Sequence, residues 1–214
     1  MRQPKSGTRR VPRWERTLLG ALTYPGNIIL GSVAVLVLSL GVITALPAAI
    51  ALARAFASWT AQGDDKVFTN TFREFARTWR RTLGLGVVAV VVFGIMVADG
   101  LFLSFQLSQP GGSLALLFSA AVLPLSALAC VYTVAITAAA TLNTEANAST
   151  WIREAIVLML GSPRRSLLVL LTVVVVVVTC VLLPTLAPFA AVAVPVYVGV
   201  RCWGPRPPVN TEQD

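Results

Sequence analysis

The sequence predicts an all-α fold: a polytopic helical membrane bundle of five to six membrane legs arranged as outward hairpins, with short amphipathic cytoplasmic helices between them. Three observations carry this expectation. Of 214 residues, 56% are hydrophobic and only 12% charged, about half the charged fraction of a soluble domain. Apolar stretches near twenty residues recur, the length a helix needs to cross ~30 Å of hydrocarbon. These runs are solidly apolar rather than alternating, so each segment must satisfy its backbone as a helix and not as a barrel strand.

The net charge of +8 could point to nucleic acid, but its distribution points to a membrane. All 17 basic residues fall within Arg2–Arg16, Arg54–Arg81, Arg153–Arg165 and Arg201–Arg206, between or beyond the apolar runs. Basic residues beside membrane helices set topology and meet anionic lipid headgroups. The expected partners are therefore a bilayer with anionic headgroups and, beyond it, another membrane protein; nucleic acid is not expected. No histidine and only three cysteines are present. Without a CxxC spacing these offer no zinc site, so no metal or other cofactor is expected, and Cys130, Cys180 and Cys202 read as small packing residues.

Along the chain, residues 1–25 form a basic arm, 26–203 a single helical membrane domain and 204–214 a polar tail. The arm carries six basic residues against one acidic residue. Apolar runs follow at Ile28–Ala53, Leu83–Phe105, Leu114–Leu142, Leu167–Leu183 and Thr185–Val200. Ala51-Leu52-Ala53 resembles a cleavage site, but the preceding apolar stretch exceeds that of a signal peptide, so a retained first helix is expected. The connectors Gln106–Gly112 and Pro184–Pro188 have no charge and contain Pro, which marks tight turns. Those at Arg54–Arg81 and Asn143–Arg165 are charged. The positive-inside bias assigns the charged connectors to the cytoplasm. With Arg54–Arg81 inside, a single crossing through Ile28–Ala53 would put the basic arm outside. Two legs turning near Pro47 keep it inside, and both termini are then cytoplasmic in a multi-pass protein of the cell membrane. The second leg, Pro47 to Thr60, spans only about 21 Å at 1.5 Å per residue, so it either crosses under shelter or is re-entrant.

Three features could carry function. Phe68, Phe72, Phe75 and Trp79 recur at helical spacing, with Arg73, Arg77, Arg80 and Arg81 largely elsewhere, which predicts an amphipathic helix at the membrane surface or against a protein partner. Asp99 is the only acidic residue well inside an apolar run, and intramembrane charges mark functional sites. Under the hairpin reading Arg54 lies at a similar depth, so an Arg54–Asp99 ion pair is expected. Ser119, Ser126, Cys130, Thr133, Thr137 and Thr141 share one face of the third run, where small residues allow close helix approach. No paired intramembrane carboxylates, nucleophile elbow or phosphate-binding loop is present, and an enzyme is not expected.

Asn27, Leu46-Pro47-Ala48-Ala49, the alanine-rich stretch to Trp59, Gly63, Phe68, Phe72, Phe75 and Leu83-Gly84 together resemble the YesL-type family of bacterial membrane proteins of unknown function. The resemblance implies a link to carbohydrate uptake or utilisation, with no established activity and no catalytic residues. Arg54 departs from it, since an apolar residue is expected there. The expected function is an accessory or regulatory membrane protein. The alternative is a small transporter or channel with a polar path formed by Arg54, Asp99 and the Ser/Thr face.

Overall fold

The computed structural model describes residues 13–107 and 113–205, and the side chains of 24–106 and 121–205. Within them the chain is all helix, with no strand. The long elements are α1 (Arg13–Leu38), α2 (Ala45–Gln62), α3 (Val67–Leu107), α4 (Ser113–Leu142), α5 (Ala148–Gly161) and α6 (Pro163–Leu182), followed by a short α7 (Ala187–Ala190) and α8 (Ala193–Trp203). Five segments are long and apolar enough to cross a membrane: Tyr24–Gly41, Val67–Gln106, Ala121–Leu142, Pro163–Leu182 and Pro184–Trp203. The protein is a multi-pass helical membrane bundle.

α2 is not among these five segments; it is the core. Every residue from Leu46 to Ala57 is buried. Its composition explains why: alanine dominates, so neighbouring backbones approach closely, which is how helices gain packing where lipid removes the hydrophobic drive between them. Leu46 and Ile50 join Leu85 of α3, Val131 to Ala140 of α4 and Trp151 of α5 in one apolar cluster. Leu52 and Phe56 join Val35 of α1, Val67 of α3 and Val196 and Val200 of α8 in another. The outward faces of α3 and α6 instead expose large apolar side chains such as Phe93, Leu101 and Val181, as lipid-facing surfaces do.

The break between α1 and α2 falls upstream of Pro47. A 3₁₀ turn at Ser39–Gly41 ends α1, and Val42 follows at φ 49°, where Ile43 N–H donates to Gly41 O. Pro47 lies in the first turn of α2. There the missing N–H costs nothing, because a helix's first amides have no intrahelical partner. The other end of α2 stops at Gly63, φ 71°, whose N–H bonds Trp59 O, a left-handed cap that glycine adopts without strain. Asp64 then bonds Lys66 N–H and the Asn70 amide at the start of α3. The Asn70 bond, then the Lys66 N–H, hold its carboxyl below the usual carboxylate range.

Two expectations change. The amphipathic segment and the following crossing form one continuous helix of 41 residues, so this segment does not lie apart in the headgroup plane; α5 is a separate short helix. Nothing between Trp79 and Leu83 stops the helix, because no proline or glycine occurs there and Thr82, the one capping-type residue, bonds back to Thr78 O. The first hairpin is also shorter than the α3–α4 hairpin. Its turn abuts α3 at Gly86, where an added Cβ would lie 2.1 Å from Ile43 O. Gly86 is only three residues past Leu83, and α3 runs on beyond it for about 30 Å at 1.5 Å per residue. The α1–α2 turn therefore sits about midway along α3, and α2 packs along the first half of α3.

A methyl group at Gly86 cannot be placed without moving the α1–α2 turn, whereas Gly84 faces open space. Gly86→Ala is therefore expected to destabilise the protein by about 1–3 kcal/mol, the usual cost of overpacking, and Gly84→Ala to be neutral or slightly stabilising. Unfolding free energies of the two variants in mixed micelles check this; equal effects would refute the close approach.

Candidate functional site

Antiparallel packing of α2 on the first half of α3 brings Arg54 opposite Glu74. The Arg54 side chain is 8% exposed and its Nη1 stands 3.6 Å from Glu74 Oε2. Its Nε donates to Ala140 O at 3.1 Å and its Nη2 to Thr144 O at 2.8 Å. Ala140 lies in the last turn of α4, where carbonyls have no intrahelical partner and carry the negative end of the helix dipole. The guanidinium thus caps α4. It also lies over the Trp151 ring, 5.4 Å from its centroid, a favourable cation–π position. Trp151 in turn donates from Nε1 to Asn143 O at 2.8 Å. One side chain joins α2, α3, α4 and α5.

Around it the charges form a chain. Arg77 Nη1 is 3.3 Å from Glu74 Oε1, and Arg81 Nη1 is 3.8 Å from Glu145 Oε2. Arg54, Glu74, Arg77, Thr78, Arg81 and Glu145 line a cavity of about 320 Å³. Arg77 is exposed although Glu74 is only 20% exposed, and the Arg81–Glu145 pair is exposed on both sides; ion pairs to exposed arginines contribute little stability. The buried Arg54 is different: removing it would leave two carbonyls without their donor and Glu74 with only the exposed Arg77 as a cation.

Arg54 does not meet Asp99. Asp99 is exposed on α3, about 25 residues beyond Glu74, or about 37 Å along a helix. The expected pair assumed that both lay below outer turns of equal reach, and the short first hairpin removes that premise. A readable signal existed. The glycine cap at Gly63 makes residues 54–81 a helix–loop–helix, and an antiparallel hairpin about that loop sets Arg54 against Glu74.

The amphipathic segment faces differently from expectation. The side turned to α2 is Val67, Asn70, Thr71, Thr78 and Thr82, all buried. Phe75 packs on the core, but Phe68 is exposed, and it stacks with Phe72 at 5.0 Å. Trp79 is half-buried with Arg80 5.4 Å from its ring centroid. Arg73, Arg77, Arg80 and Arg81 are exposed. The buried stripe is small because the alanine face of α2 admits nothing larger, and this leaves an aromatic and arginine-rich surface facing outward.

The Ser/Thr face of α4 is divided. Thr137 and Thr141 are buried, whereas Ser126 and Cys130 are half-buried and Thr133 is exposed; Ser119 lies outside the described side chains. The hydroxyls of Thr133, Thr137 and Thr141 bond Ala129 O, Val134 O and Ala138 O of their own helix. They pack and do not offer a polar lining, so Arg54, Asp99 and this face do not converge on one path. Among the described residues no cluster of three or more His, Cys, Asp or Glu could hold a metal.

Residues 27–100, about a third of the chain, match the domain family described as "Protein of unknown function, DUF624". The match spans most of the α1–α3 unit, including Arg54 and Glu74; the α4 and α5 groups that complete the site lie beyond it. No curated protein and no solved structure matches the chain.

Replacing Arg54 by Met keeps the bulk and removes the charge. The expected loss of stability is about 3–5 kcal/mol, as when one partner of a buried pair is removed, while Asp99→Asn should change it by less than about 0.5 kcal/mol. Unfolding in mixed micelles measures both, and a mild Arg54→Met would contradict the clamp.

Proposed function

We propose that this protein is a non-catalytic accessory or regulatory component of the cell membrane, linked to carbohydrate uptake, with its basic arm and polar tail in the cytoplasm. The observation that carries this reading is the outward aromatic and arginine surface on the first half of α3. Arg54 and Glu74 hold that half rigidly against α2, so Phe68, Phe72, Arg73 and Arg80 are presented on a fixed scaffold. Rigid presentation lowers the entropic cost of docking, and exposed aromatic and arginine groups are the usual anchors of protein interfaces. The carbohydrate link rests on the YesL-type resemblance of residues 27–86. The cytoplasmic placement rests on the basic residues that flank this surface.

Two measurements test the reading. In cells lacking the protein, uptake of labelled sugars should change. The unaltered chain should restore it, and Phe72→Asp/Arg73→Glu should not, although that variant reaches the membrane at normal levels. Unchanged uptake in the deletion would remove the carbohydrate link, and full restoration by the variant would remove the docking surface. For sidedness, a cysteine placed at Gly7 or Pro208, with the native cysteines replaced, should resist a membrane-impermeant thiol reagent in intact cells. Labelling of either from outside would overturn the orientation.

A further inference from the structure

The bundle contains a second cavity, separate from the arginine site. Its volume is about 520 Å³, and α2, α3, α4, α5, α6, α8 and the segment before α8 contribute to its walls. The floor is buried: Leu46 and Ala49 of α2 and Val196 of α8 are each less than 9% exposed. The mouth is framed by exposed Val88 and Phe93 of α3 and Val177 of α6. All three lie in segments apolar enough to cross a membrane, so this side of the mouth faces the lipid-exposed surface of the bundle.

Water is a poor occupant, because a buried water needs two to four polar partners. The two threonines in the wall already bond their own helix carbonyls. One alkyl chain about 5 Å across needs roughly 300 Å³ over the ~15 Å depth of one leaflet, which the cavity accommodates. We propose that it is an intramembrane site for a single lipid acyl chain, entering between α3 and α6 and ending against the buried face of α2. The site is independent of the docking surface on α3.

The test uses the full chain in nanodiscs of palmitoyl-oleoyl phosphatidylcholine doped with a phosphatidylcholine carrying a diazirine near the end of one chain. After irradiation, adducts are mapped by mass spectrometry. Leu46, Ala49 and Val196 should be labelled although bulk lipid cannot reach them. That labelling should be lost in Thr133→Phe, and in Ala129→Phe as a second filler on the same wall, for whichever of them keeps the wild-type melting profile. Val91→Phe, on the outer face of α3, should leave it intact. Adducts confined to outward residues such as Val91 and Ile95, with the floor unlabelled in the wild-type chain, would overturn the proposal. So would floor labelling that a correctly folded filler does not reduce, or a second copy of the chain crosslinked into the groove.

Discussion

Burial of one guanidinium is the constraint on which the charged end of this bundle depends. Moving a charge out of water costs several kcal/mol, and the attraction to a single carboxylate at 3.6 Å does not by itself recover that. Arg54 is tolerated because it meets several needs at once. It supplies donors to a carbonyl in the last turn of α4 and to one in the following loop, a counter-charge to Glu74 and a cation to the face of Trp151. Among the described residues, the two carbonyls have no other side-chain donor. The planar, multiply donating guanidinium suits this task, and a lysine ammonium does not.

The clamp also explains how α2 can be both the most buried helix and one that fails to qualify as a membrane span by its own hydropathy. An alanine-rich helix with a central arginine would be unstable alone in lipid. Here α1, α3, α4 and α8 enclose it, and the arginine is directed at polar backbone. The close approach at Gly86 and the small stripe Thr71, Thr78 and Thr82 serve the same end, since they let α3 lie tightly along α2. The cost is that the large aromatic side chains of α3 are displaced outward, where they form the surface offered to a partner or a headgroup layer.

Much of the fold was legible in the sequence. Run lengths and the absence of alternation specify a helical membrane bundle. Charge parity, together with the uncharged stretch around Pro47, places a hairpin turn near Pro47, and the structure has the break a few residues earlier, at residues 39–44, with Pro47 already inside α2. The reach of that hairpin was not legible. It depends on the backbone contact between Ile43 and Gly86, which no local pattern announces. For the same reason depth counted from assumed outer turns paired Arg54 with Asp99. The orientation of the aromatic stripe was hidden too, because periodicity identifies faces but not which face the tightest neighbour requires. On the small-residue face of α4, Thr137 and Thr141 are buried, while Cys130, Thr133 and Thr137 border an apolar cavity, which helical periodicity alone cannot foresee.

The central claim is that Arg54 and Glu74 act as one unit holding α2 to α3 and α4. A double-mutant cycle between Arg54→Met and Glu74→Gln, read as unfolding free energy in mixed micelles, tests it most directly. The account predicts a coupling energy of about 1–3 kcal/mol, as found for residues within one charge and hydrogen-bond network. Additive losses, with coupling no larger than about 0.5 kcal/mol, would contradict it.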